Sequence, residues 1–222
     1  MAKLLHTLAE YAEQGRTMAL AKEKFTTPKG NTKWAFIDGK GKETEKGSNK
    51  FKYSVVIKAH KDEPETIKAM KQIDDFWAEN KPKAAKPRPK TKAYKMEEDE
   101  DTGAETGYVL FGLSTATTFP SGDKKLVKIF TAKAPVREVK LGGKKVGEDS
   151  LGRGIGSLSI YEYNGSYGTT LYLDAISLSK FVEYVGGVDA SDVVTDDDAD
   201  DLDLGTEEVD TTAVQDEDVP RT

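Results

Sequence analysis

The chain contains no cysteine and only two histidines, His6 and His60. Without a thiol there is no disulfide, no thiolate nucleophile and no cysteine-ligated zinc, and two imidazoles are too few for a metal cage or for most histidine-based catalysis. No apolar run approaches the roughly 20 residues needed to cross a bilayer. No charged-then-apolar leader opens the chain, so the protein is expected to stay where it is made, away from membranes. The usual residues of most enzyme classes are missing, and neither a catalytic residue nor a metal nor a cofactor is expected.

What remains is a 222-residue chain, 36% hydrophobic and 32% charged, long enough for one sizeable domain with extensions. The overall charge of −6 conceals an asymmetry. From Asp189 onward, 14 acidic residues face one basic residue, Arg221, a net of −13; residues 1–188 hold 32 basic against 25 acidic residues, a net of +7. A basic body suits a polyanionic ligand, and the acidic tail imitates one.

Three parts are expected. Residues 1–16 carry Leu4, Leu5, Leu8, Tyr11 and Ala12 at helical spacing before Gly15, which predicts a short amphipathic N-terminal helix. Residues 17–188 form the folded body. Residues 189–222 have no aromatic side chain and too little apolar surface to repay ordering, which predicts a disordered tail, whether a plain solubilising one or a functional one.

Within the body, a helix is expected from Asp62 to Asn80, with Asp62 as cap, Pro64 in the first turn, Ile67, Met70, Ile73 and Trp77 as the core stripe, and Pro82 as terminator. Phe51, Tyr53, Val55 and Ile57 alternate with Lys50, Lys52, Ser54 and Lys58, predicting a strand with an apolar row inside and lysines outside. Further strands are expected over 17–25, 33–38, 108–118, 125–131, 135–141, 155–163 and 167–184. NGS at Asn164 to Ser166 predicts a hairpin turn between the last two. Short strands with one inserted helix indicate a mainly β fold, a small barrel or a sandwich. KPKAAKPRPKTK, residues 81–92, has six basic residues and three prolines, and the acidic run MEEDEDTGAE follows. Together, over 81–106, they are expected to form a flexible surface insert.

A single-stranded polynucleotide needs cations for its phosphates and aromatic faces for its unstacked bases. Candidates of both kinds are present: Lys50, Lys52 and Lys58 on one strand face, Lys33 beside Trp34, Arg153 in GRG ahead of a strand bearing Tyr161 and Tyr163, and Tyr167 and Tyr172 beyond the turn. Phe51 and Tyr53 fall on the apolar row and belong to the core. Tyr161, Tyr163 and Tyr172 fit either face; Trp34 is exposed or wedged under a flap. LGRGIGS, residues 151–157, lacks the following helix of a phosphate-binding loop and reads instead as a glycine-rich turn near a polymer backbone. The run Glu97 to Asp101 lacks the separated spacing of a carboxylate metal site and reads as a solvated loop.

Taken in order, KFKYSVVI, the helix DEPETIKAMKQIDDFWAEN, the basic Pro-rich insert, LGRGIGSLSIYEYN, YGTTLYLDAISLSKFVEYVGG and the acidic tail resemble the OB-fold single-stranded DNA-binding proteins of tailed bacteriophages. The resemblance runs from about residue 17 to the end, although the tail closes on DEDVPRT without the terminal aromatic of the best-known branch. It implies a five-stranded barrel and sequence-independent binding of single strands in replication, recombination and repair. It also implies action in the host-cell cytoplasm, frequent dimerisation, and a tail that contacts replication proteins such as a polymerase or a helicase or primase. Two other classes compete with it: a metal-dependent nuclease or strand-processing enzyme using the acidic insert, and an acidic chaperone for basic proteins acting through the tail.

Overall fold

The computed structural model describes residues 21–83 and 85–184; the helix expected over 1–16 and the acidic tail lie outside them. The strands are β1 (Lys22–Thr26), β2 (Gly30–Phe36), β3 (Lys42–Glu43), β4 (Phe51–His60), β5 (Tyr94–Glu98), β6 (Glu105–Ala116), β7 (Lys128–Thr131), β8 (Leu151–Tyr163) and β9 (Ser166–Lys180), with one helix, α1 (Pro64–Asn80), after β4.

Five strands close on themselves in the order β2, β4, β6, β9, β8 and back to β2. All of these pairs are antiparallel except β6 with β9, which run parallel at Leu113 opposite Leu171 and Ser114 opposite Tyr172. This is the expected OB-type barrel. β1 continues the first barrel strand past a break at Thr27 to Lys29 and also pairs with β8. β5 adds to the edge of β6, and β7 runs parallel to the end of β9.

The alternation in β4 is as expected for Tyr53, Val55 and Ile57, which are buried together with Ala59 while Lys52, Ser54, Val56 and Lys58 face out; Phe51, expected in the core, is only half-buried at the strand's first position and does not join it. Opposite them Val109, Phe111 and Leu113 fill the barrel from β6, with Leu158, Ile160, Leu171, Leu173 and Ile176 from the long hairpin. Each such side chain contributes about 1.5–3 kcal/mol by leaving water. The hairpin turns at Asn164 and Gly165, both with positive φ, so Tyr163 faces Ser166 across a two-residue turn. That is the turn the NG dipeptide predicts.

Several expectations are corrected. The helix is capped at Glu63 without a side-chain bond, not by Asp62, although Pro64 does occupy its first turn. Its buried stripe is Thr66, Ala69, Ile73, Phe76 and Trp77; Ile67 is 51% exposed. Ile73 and Trp77 fix one line of the helix, and the bulkier Phe76 with the small Ala69 rotate the contact face away from Ile67. LGRGIGS is not a turn but the first half of β8. Its glycines admit the barrel's own walls: a Cβ on Gly156 would stand 1.8 Å from the Tyr172 carbonyl oxygen, and one on Gly154 would stand 2.7 Å from a Leu113 methyl. Residues 135–141 form no strand and meet β7 through a single bridge, Phe130 with Glu138; Pro135 has no amide to donate to a ladder. The insert is likewise not a loop throughout. The Pro-rich part is tied down, with the Trp77 Nε1–H donating to the Pro87 carbonyl at 2.9 Å and the Lys90 amide to that of Tyr167 at 2.8 Å, and residues 94–98 are strand β5.

Candidate nucleic-acid interface

Residues opposite one another on paired strands share a face of the sheet. Lys33 stands opposite Val56, and Lys58 opposite Leu110, so the outward row of β4 carries neighbours from β2 and β6. Between Lys33 and Phe36 the β2–β4 register slips by one residue, and Trp34 has φ of 47°. A bulge of this kind re-aims a side chain. Regular alternation would turn Trp34 to the side of buried Thr32, whereas the left-handed residue leaves it 51% exposed, with the Lys33 ammonium 5.0 Å from its ring centre. An aromatic residue in this backbone region is uncommon, and such strain gathers at functional sites.

Beside it, the Lys58 ammonium lies 4.3 Å from the ring centre of Tyr108, which is 36% exposed and meets the His60 ring edge-on. Glu97 of β5 reaches between the lysines: one carboxylate oxygen is 3.2 Å from Lys33 Nζ, and the other is 2.6 Å from Lys58 Nζ and accepts from the Thr106 hydroxyl at 2.7 Å. Burial alone would raise the Glu97 pKa, but hydrogen bonds from Lys58, Thr106 and Lys33 outweigh it and hold the carboxyl down at about 2. Glu97 is therefore ionised and engaged, not part of a solvated loop. Among the described residues, no three His, Asp or Glu side chains converge as a metal cage would need.

The same face continues into a groove of about 360 Å³. Val56, Leu110 and Gly112 form its floor, and Tyr161, Tyr94 and Lys95 stand along it. An added Cβ on Gly112 would meet no atom within 4 Å, so the floor is open there. Tyr161 is half-buried, lies against Gly168, and shares a hydrogen bond with the Thr91 hydroxyl. At the far end of β4, Lys52 stands opposite Lys42, whose ammonium is 5.4 Å from the ring centre of exposed Phe36. From Lys52 to Lys58 the outer row spans six residue-to-residue rises, about 20 Å.

The candidates from sequence are thus only partly brought together. Lys33, Trp34, Lys58 and, past the open floor, Tyr161 gather on one face, with Lys52 at its end and Lys50 exposed just before β4. Tyr172 is outward on β9, half-buried, with Lys22 5.8 Å from its ring centre. Tyr163 is 63% exposed beside the hairpin turn. Tyr167 packs against the core cluster from its edge. Arg153 lies inside β8, not ahead of it, where it pairs with Glu65 at 2.9 Å and donates to the Thr27 carbonyl at 3.3 Å. Arg153 nonetheless lines a recess with Lys58, Asn31, His60 and Tyr108. Tyr108, Phe36, Lys42, Tyr94 and Lys95 were not singled out from sequence. For Tyr108 a signal existed: it has the parity of Gly112 and the opposite parity to Val109, Phe111 and Leu113.

No protein-family model and no curated protein matches the chain. Solved structures do. The single-stranded DNA-binding protein of bacteriophage Enc34, in complex with single-stranded DNA, aligns at TM-score 0.54 and 16% identity over 73% of this chain and 89% of that one. A second structure of the Enc34 protein aligns at 0.51 and 15% over 80% and 98%. The single-stranded DNA-binding protein gp2.5 of bacteriophage T7 aligns at 0.51 and 17% over 75% and 91%. At these identities the likeness is one of fold: the chain has the OB-type barrel of the single-stranded DNA-binding proteins of bacteriophages Enc34 and T7.

Proposed function

We propose that this protein binds single-stranded DNA without sequence preference and acts without catalysis. The observation that carries the reading is the outer face of β2, β4 and β6. There the half-exposed rings of Trp34 and Tyr108 lie under lysine ammonium groups, and the face opens onto a floor bared at Gly112. Rings of this kind accept any unstacked base at about 1–3 kcal/mol each, which gives affinity without sequence readout and discriminates against duplex, whose bases are already stacked. Lys33, Lys42, Lys50, Lys52, Lys58 and Lys95 supply phosphate neutralisation, so binding weakens steeply with salt. Tyr161, Tyr163 and Tyr172 extend the stacking surface, and Arg153 and Tyr167 position its borders. The likeness in fold to the Enc34 protein that was solved with single-stranded DNA supports the same ligand.

In the fuller reading, the protein serves phage DNA replication, recombination and repair in the host cytoplasm, with homodimers as the working form. The net charge of −13 in residues 189–222 supports a tail that competes with DNA for the basic face and, once displaced, recruits replication proteins such as a polymerase or a helicase or primase. Deleting residues 189–222 is expected to tighten DNA binding at low salt; unchanged affinity across a salt series refutes the competition.

The deciding experiment is fluorescence titration with oligo-dT at two salt concentrations, beside a mobility-shift comparison of melted and annealed oligonucleotides. Quenching is expected to vanish in Trp34→Phe and persist in Trp77→Phe, whose ring is buried. Equal affinity for melted and annealed DNA overturns the proposal.

A further inference from the structure

The face that recommends this protein as a DNA binder is already occupied by an anion of its own. Glu97 belongs to β5, which among the described residues pairs with β6 alone, and the β5–β6 register slips between Met96 and Glu98. Lys95 lies opposite Leu110, so Glu97, two residues on, projects to the same outer face. Its two carboxylate oxygens each take a different ammonium, Lys33 on β2 and Lys58 on β4, with a hydroxyl donor from Thr106. The two non-bridging oxygens of a phosphodiester have the charge and the acceptor pattern for the same partners. The side chain of Glu97 is only 11% exposed, while those of the two lysines are 23% and 26% exposed, so the cations are within reach of a ligand that displaces the carboxylate. Nor do the lysines depend on Glu97 for their placement, since each also rests over an aromatic ring.

We infer that Glu97 is an internal phosphate surrogate, which occupies Lys33 and Lys58 in the free protein and makes DNA binding at this part of the face an exchange of one anion for another. The inference rests on the proposed function and deepens it. Exchange releases fewer counterions than binding to free lysines, so Glu97 both weakens binding and flattens its salt dependence. The effect is local to two cations, unlike the diffuse repulsion of a surface charge. It keeps the protein displaceable, since a strand that leaves is replaced at once by the carboxylate.

The test is the salt dependence of oligo-dT binding by full-length Glu97→Gln, which keeps the side-chain length and an acceptor for Thr106, beside Glu98→Gln, which removes the same charge from an exposed neighbour without an ion pair among the described residues. With single strands each neutralised phosphate contributes about 0.7 to the slope of log K against log salt, so Glu97→Gln is expected to steepen it by up to about 1.4. It is also expected to tighten binding at low salt about tenfold, as for a charged hydrogen bond no longer broken. Glu98→Gln should do much less, and Lys58→Ala added to Glu97→Gln should cancel most of the gain. If the wild type binds but Glu97→Gln leaves slope and affinity unchanged, weakens binding, or merely matches Glu98→Gln, Glu97 is a positioning group and the inference falls while the function stands. If the wild type does not bind, both fall. Should Glu97→Gln not fold, Glu97→Asp, which withdraws the carboxylate by one methylene, must shift the slope in the same direction or the inference is overturned.

Discussion

Trp34 carries two separable burdens, and two substitutions pull them apart. Its left-handed backbone, with φ of 47°, costs a residue with a Cβ about 1–2 kcal/mol, and glycine very little. Its half-exposed ring, with Lys33 5.0 Å from the centre, offers a stacking surface worth about 1–3 kcal/mol per base. Trp34→Ala removes the ring and keeps the strain; Trp34→Gly removes both. After allowing for the greater freedom of glycine in the unfolded chain, the glycine variant is expected to be more stable than the alanine variant by about 1 kcal/mol. At this chain length that is about 2–4 °C in Tm. Both variants are expected to lose the same affinity for labelled oligo-dT, about 5- to 150-fold. Urea unfolding and fluorescence anisotropy read the two quantities independently. A loss of affinity under twofold would show that the ring does not stack, and equal stabilities would show that the bulge is unstrained.

Gly112→Trp fills open space on the groove floor, so the melting temperature should stay within a few degrees while oligo-dT affinity falls at least about tenfold; unimpaired binding places the strand elsewhere. Gly156→Ala drives a methyl to 1.8 Å from a backbone oxygen and should cost at least about 3 kcal/mol, read as loss of the cooperative melt; a stable variant refutes the close β8–β9 approach. Glu97, depressed from 4.5 to about 2, binds its proton more weakly folded than unfolded. It therefore stabilises the fold fully above about pH 4.5, and that contribution is lost as pH falls towards 2. Wild type should lose stability over this window more steeply than Glu97→Gln in pH-resolved urea unfolding; parallel curves refute the ion pairs.

How far the sequence reveals the fold depends on whether a feature is local. The alternation in β4 and the NG turn are local and were legible, and so was Trp77 in the core. The helix was legible as an element but not in its rotation, because Ile67 and Phe76 are equally apolar and only the barrel decides which is covered. β5 reads as polar insert because its stability comes from the ladder to β6, ten residues or so away in sequence and invisible in YKMEE itself. The glycines of β8 signal a turn by frequency, whereas their cause is a wall of the barrel contributed by residues as distant as Leu113. At the site, cations and rings were legible as types. Their pairing was not: the engagement of Lys33 and Lys58 by Glu97, or of Arg153 by Glu65, depends on segments brought together from 64 and 39 positions away in the first case and 88 in the second.

Among the described residues four strands lie outside the closed ring, and each is short and carries charge: KEKFT in β1, KE in β3, YKMEE in β5 and KIFT in β7. An edge strand's free amides and carbonyls are where one molecule could recruit another into a growing fibril, and lysines and glutamates on a brief edge oppose that growth. If the proposed binding holds, many copies can crowd along one strand without zipping together through their backbones, and what holds neighbours in line must be side chains or the strand itself.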